Sequence, residues 1–212
     1  MTSLRAVAWD LDGTLVDSEG LHHRALLGAC RDCGVDLSDL PDRAFRGIHV
    51  LDVWTLLRPR LPQRLNRLEW LTAIDRFYIE KSAELRPMPQ AHVTISSLSA
   101  RGVAQACVSN SSRAVVDANI AALGIADNIA FSISLDDVSS GKPDPEPYAL
   151  AARRLECPAT QIVAVEDSAV GAASARAAGL MVVRYAPNGE RDGVGDLWIV
   201  ALSQLLTLVE VG

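Results

Sequence analysis

The stretch VAWDLDGTLVDSE, residues 7–19, decides how this chain is read. An apolar run of strand length stops at Asp10, turns polar, and places a second carboxylate, Asp12, two positions on, just before a Gly-Thr turn. Side chains alternate along an extended chain, so carboxylates two residues apart can face the same side and act on one substrate. Further apolar runs of the same kind lie at 103–108, 129–133, 162–165 and 180–183. Each is near-continuous rather than alternating, as in strands covered on both faces, and the later ones are separated by amphipathic helical patterns. The expectation is an α/β fold built on a doubly wound, Rossmann-like parallel sheet.

The helices are punctuated. SSRAVVDANIAALG (111–124) opens on serine caps, puts Val116, Ile120 and Leu123 on one face and stops at Gly124. SAVGAASARAAG (168–179) runs from a capping Ser168 to Gly179, with enough alanine to lie close to a sheet. Residues 18–86 break the rhythm, with helical patterns such as RLEWLTAIDRFYIEKSAEL and no strand, and Pro87 and Pro89 of RPMPQ read as a stiff linker. The expected organisation is an α/β core, residues 1–16 and 88–212, with a small all-helical domain, residues 17–87, inserted after the first strand. In that insert, Trp54 and Trp70 at helical spacing with leucines read as core.

Bulk properties narrow the partners. At 212 residues, 49% hydrophobic and 22% charged, the chain is expected to fold around a proper core. A net charge of −6 with no run of Lys and Arg speaks against nucleic-acid binding. An anionic small substrate would require local positive charge, which a metal ion can supply. No apolar run approaches the roughly 20 residues of a membrane span, and the N-terminus enters a strand without a leader pattern, so the expectation is a cytoplasmic protein with no membrane partner. Four cysteines are too sparse for a disulfide framework, and Cys30-x-x-Cys33 lacks the second pair a zinc site needs.

Ligand sites of open parallel sheets lie beyond the carboxyl ends of the strands. The polar residues there are Asp10 and Asp12, then Ser109 and Asn110, then Glu166 and Asp167, with Lys142 in the proline-rich loop SGKPDPEPY. A carboxylate approaching a phosphate dianion meets Coulomb repulsion on the order of 1 kcal/mol at 4 Å in water, and several times more near an effective dielectric of 20. Mg2+ on the carboxylates of Asp10, Glu166 and Asp167, with the Lys142 ammonium, would offset it. Asp10 can then accept a phosphoryl group, while Asp12 protonates the leaving alcohol and afterwards deprotonates water. The Ser109 hydroxyl suits the phosphoryl oxygens.

Four motifs in order, DLDGT (10–14), VSNSS (108–112), GKPDPEPY (141–148) and VEDSAVGAASARAAG (165–179), resemble those of the haloacid dehalogenase superfamily, and they span nearly the whole core. The helical insert resembles the cap of the subgroup containing β-phosphoglucomutase and sugar-phosphate phosphatases. The resemblance implies Asp10 as nucleophile, Asp12 as acid/base and backbone-carbonyl metal ligand, Ser109 and Lys142 as phosphate binders, and Glu166 and Asp167 as metal-site carboxylates. It also points Glu19, His22, Arg46 and Gly47 of the cap toward substrate, with Asn110 beside them in the substrate-binding set. Where β-phosphoglucomutase-like proteins grip a second phosphate with arginine and lysine, this chain has Val50 and Ser112, and Arg46 or Arg113 is left to compensate. Gln90 stands where the subgroup often has glycine. The reading is a Mg2+-dependent phosphatase acting on a small phosphorylated metabolite, a sugar or polyol phosphate, with the cap closing over it. The alternatives are a hexose-phosphate mutase of the β-phosphoglucomutase type and a noncatalytic phosphate- or metal-binding module.

Overall fold

Ala6–Trp9, the first strand (β1) of the computed structural model, is buried at every position. A strand so covered must be hydrogen-bonded on both edges and packed on both faces, which explains its continuous apolar sequence. The structure describes residues 4–41, 44–45 and 50–208. After β1 come the short strand β2 (Val16–Asp17) and the helices α1 (Glu19–Asp32), α2 (Val50–Leu57) and α3 (Arg67–Glu80). Then follow β3 (Arg86–Pro87), α4 (Ala91–Ala100), β4 (Ala104–Val108), α5 (Arg113–Leu123), β5 (Phe131–Ile133) and α6 (Glu146–Arg154). The last described elements are β6 (Ile162–Glu166), α7 (Ala169–Ala177), β7 (Met181–Tyr185) and β8 (Leu197–Ile199), followed by a 3-10 turn at Leu202–Thr207.

Among the described residues, six strands form one parallel sheet in the order β5-β4-β1-β6-β7-β8. The chain winds outward from β1 through β4 and β5, then crosses back to β6 and winds out the other way. Where the winding reverses, at β1, a doubly wound sheet opens the crevice that holds its ligand. Ala6, Ala8, Ala164 and Val182 face Tyr148 and Ala151 of α6 and Ala172 and Ala175 of α7 in one buried cluster. The small side chains let these helices lie close to the sheet. On the opposite face Trp9 donates from its indole N–H to Gln105 Oε1 at 2.9 Å, and the Gln105 amide donates to the Ile95 carbonyl of α4 at 3.0 Å. Burying an amide without partners would be costly, and this one is fully used.

Packing divides the chain into two units, one running through Asp17 and resuming at Arg86, the other Ser18–Leu85. Within the helical unit, Gly28 of α1 admits the Phe77 ring of α3 so closely that a Cβ there would lie 2.5 Å from it. Trp70 is fully buried with its ring centroid 5.3 Å from that of Trp54, so both belong to the core of this unit. Cys30 is buried and Cys33 half-buried, both as free thiols raised in pKa by burial, which suits packing better than reactivity. No described helix is long and apolar enough to cross a membrane.

Three readings of the sequence change. The proline segment expected as a bare linker is partly strand, because Val16 and Asp17 pair with Pro87 and Arg86. The edge strand β8 went unread, since the four apolar residues between Asp196 and Ala201 leave too short a pattern. In α5 the buried face is Val115, Val116, Asn119 and Leu123, so Ile120 yields its place to an asparagine.

Candidate active site

The register of the sheet assembles the site. Trp9 is level with Cys107 of β4 and Val165 of β6, so Asp10, Val108 and Glu166 come next at the same height. Residues level on neighbouring parallel strands point the same way, and the Asp10 and Glu166 carboxylates therefore share one face of the sheet. Between them lies Lys142, whose Nζ donates to Asp10 Oδ1 at 2.7 Å, to Glu166 Oε1 at 2.6 Å and to the Val108 carbonyl at 2.8 Å. An ammonium has three donors, and all three are engaged. Burial alone would lower the proton affinity of Lys142, but the two carboxylates override it and hold the group above the usual lysine range. Tyr148 of α6 and Ser168, the N-cap of α7, donate to Glu166 at 2.5 and 3.2 Å.

The loop carrying Lys142 is fixed by Asn110, which accepts from the Lys142 backbone N–H at 2.8 Å and donates to its carbonyl at 2.9 Å. Asp12 lies beyond β1, half-buried, in a turn where the Leu11 carbonyl accepts from three successive N–H groups, those of Thr14, Leu15 and Val16. Its Oδ2 accepts from the Ser111 and Ser109 hydroxyls at 3.0 and 3.2 Å, and its Oδ1 from the Asn119 amide at 3.0 Å.

Asp10, Glu166 and Asp167 each offer a carboxylate oxygen within 4.8 Å of the others. Burial pushes Asp10 well above the usual carboxylate range against the pull of Lys142, and the charges of Glu166, Asp167 and Asp12 add to it. Asp167 is pushed up to about 6, by burial first and then by Glu166. Asp10 Oδ2 is buried without a hydrogen-bond partner among the described residues. Hard oxygen donors, an orphaned carboxylate oxygen and mutual repulsion together fit a divalent cation. Two glycines make room for the cluster: a Cβ on Gly13 (φ +84) would lie 2.2 Å from Asp167 Oδ2, and one on Gly171 would lie 2.0–2.1 Å from the Glu166 carboxyl group. From β7, level with Glu166, the buried Arg184 donates to the Asp167 carbonyl at 2.7 Å.

A family profile described as haloacid dehalogenase-like hydrolase matches residues 4–179. The chain belongs to that family. It is 32% identical to the plasmid phosphoglycolate phosphatase of Cupriavidus necator, across 96% of this chain and 92% of that one. It is 29% identical to hexitol phosphatase B of Escherichia coli K12, across 96% and 93%. Among solved structures, CbbY from Rhodobacter sphaeroides in complex with phosphate superposes with a TM-score of 0.85 at 26% identity, across 95% of this chain and 96% of that one. Family and relatives mark the chain as a phosphoric monoester hydrolase of the haloacid dehalogenase type.

Within this haloacid dehalogenase-like core the structure brings together Asp10, Asp12, Ser109, Asn110, Lys142, Glu166 and Asp167. The amide of Asn110 is used on the Lys142 backbone. Glu19 opens α1 as an exposed residue, and the His22 ring lies 4.5 Å from that of the buried Tyr78, both within the helical unit. Arg46 and Gly47 lie outside the described residues. Ser112 caps α5, and the Arg113 guanidinium bonds Asp117, Ser132 and Asp137. Sequence reasoning missed Ser111, Asn119, Tyr148 and Arg184. An asparagine on the apolar face of a helix and an arginine inside an apolar strand were the legible signals for two of them.

Proposed function

We propose that this chain is a Mg2+-dependent phosphatase of small phosphorylated metabolites, specifically sugar or polyol phosphates, that carries the phosphoryl group transiently on Asp10. One observation carries the reading: at the reversal point of the sheet, a carboxylate with one oxygen held by a buried lysine and the other without a partner among the described residues stands two residues from a second, well-bonded carboxylate. The relatives named for phosphoglycolate and hexitol phosphates support small, hydroxylated or acidic esters as the substrate class.

Asp10 attacks phosphorus, forming the carboxylate O–P bond as the P–O bond to the substrate alcohol breaks, and Asp12 gives its proton to that departing oxygen. Water then attacks phosphorus, Asp12 takes its proton, the Asp10–phosphorus bond breaks, and inorganic phosphate leaves with Asp10 restored. The Ser109 hydroxyl, beside Asp12, binds the phosphoryl oxygens, and Lys142 supplies fixed positive charge beside Asp10. Mg2+, held by Asp10, Glu166 and Asp167 with the Asp12 carbonyl, would supply the charge that offsets repulsion between nucleophile and phosphate dianion. Hydrolysis rather than mutase chemistry is favoured because Ser112 is used as a helix cap and Arg113 in ion pairs, so neither is free to grip a second phosphate.

The test is phosphate release from a panel of sugar, polyol, nucleoside and phosphoglycolate esters with Mg2+, beside Asp10→Asn and a chelator control. Release abolished by both controls is the expected result. Isomerisation of β-glucose 1-phosphate without phosphate release would replace the phosphatase by a mutase, and Mg2+ binding without any turnover would leave a binding module.

A further inference from the structure

We infer that Asn119 is a positioning residue for the acid/base carboxylate: its amide, reaching from the buried face of α5, sets the plane in which Asp12 meets the leaving group. This rests on the phosphatase reading above and extends it to a residue outside the four motifs.

The residue type is the first argument. Asn119 is fully buried in a helix whose other inward positions are Val115, Val116 and Leu123. Asparagine is a poor helix-interior residue, and a buried amide is costly without a partner, so an apolar side chain would serve the helix and the core better. What the asparagine supplies is a donor 3.0 Å from Asp12 Oδ1.

Geometry is the second. Asp12 sits in the turn after β1, its backbone bridged to Val16, and its carboxyl group is reached by donors from two separate segments. Donors from the β4–α5 loop, Ser109 and Ser111, hold Oδ2, and a donor from the body of α5 holds Oδ1. The two hydroxyls restrain the carboxyl group through one oxygen, and the Asn119 amide adds a donor on the other, so that the plane of the group is held from both ends. Proton delivery needs the acid within hydrogen-bond reach of the departing oxygen, so a loss of orientation falls on the step in which that oxygen takes a proton.

That step can be isolated by the leaving group. An alkoxide from a sugar or polyol leaves only with a proton, whereas 4-nitrophenolate leaves without one, and kcat/KM covers events up to departure of the alcohol. For Asn119→Leu, which keeps the branched shape of the side chain, and Asn119→Ala, kcat/KM on the best ester of the panel should fall roughly 10- to 100-fold, part of the ~100- to 10,000-fold a positioned acid supplies, and on 4-nitrophenyl phosphate less than roughly threefold. The ratio of the two esters does not depend on the folded fraction of a variant, so partial misfolding cannot imitate the result. Parallel loss on both esters, or no loss on either, overturns the positioning role. Asp12→Asn, run alongside, should show the same selectivity more strongly. If it loses both esters equally, the acid assignment falls and this inference with it, whereas wild-type protein that releases phosphate from no ester overturns the phosphatase reading itself.

Discussion

Glu166 and Asp167 are adjacent in sequence but are held by different neighbours, and two glycines separate their effects. A Cβ on Gly171 would occupy the place of the Glu166 carboxyl group, which is fully buried between Lys142 and Tyr148. Gly171→Ala is therefore expected to break a buried charge pair, costing about 3 kcal/mol of stability together with activity, as read by thermal melts and phosphate release. A Cβ on Gly13 would meet Asp167, which is less deeply buried, and would also strain a backbone at φ +84 by about 1–2 kcal/mol. Gly13→Ala should mainly raise the Mg2+ concentration for half-maximal activity, by about tenfold, since displaced metal-site groups typically cost ~10- to 100-fold in affinity. A Mg2+ titration of both variants checks the contrast; a Gly13→Ala protein that saturates like wild type would remove Asp167 from the metal site. Lys142→Met, which leaves Asp10 and Glu166 facing each other uncompensated, should cost about 3–5 kcal/mol in the same melts and abolish release.

At the scale of elements, the strands and caps nearest the site follow local chemistry closely. β1 ends at Trp9, where its apolar run stops at Asp10, Ser112 and Ser168 cap α5 and α7, and Gly124 ends α5 at φ +62. Departures come where a neighbour decides. β5 shortens to Phe131–Ile133 because the Ile129 N–H is turned back to the Ala126 carbonyl, closing the 3-10 turn Ala126–Asn128, and the segment Arg86–Pro87 becomes strand because Val16 and Asp17 lie beside it. Gln90, at the start of α4, takes φ +68, the left-handed region that favours glycine. Its Oε1 accepts from the Ser203 N–H at 3.3 Å, a long and exposed contact that offsets little of the strain. Gln90→Gly is accordingly expected to raise stability by up to about 1 kcal/mol, and a fall in melting temperature would show that the Ser203 contact outweighs the backbone strain.

For the whole molecule, the carboxylate cluster couples metal, pH and stability. Asp10 and Asp167 bind protons more tightly in the folded chain than in an unfolded one. Folding then costs free energy once they ionise: the cost is absent below the ordinary aspartate value of 3.8 and, for Asp167, complete above about 6. Metal-free protein should lose stability as pH rises through that window, and Mg2+ should raise the melting temperature more at about pH 7.5 than at about pH 5, because only ionised carboxylates bind it. Melts with Mg2+ and with chelator at both pH values test this, and an equal metal shift at the two would place the metal elsewhere. By itself the sequence determined the α/β class, the strands around β1 and the set of polar residues at their ends, since burial on both faces, caps and turns are written in residues that are near neighbours. Only the tertiary structure decided that Lys142 spends its donors on Asp10, Glu166 and Val108, that Arg184 backs Asp167, and that Asn119 reaches Asp12 across 107 positions of chain. Such pairings depend on sheet register and helix rotation, which bring distant residues to one height and one face, and no local pattern encodes them.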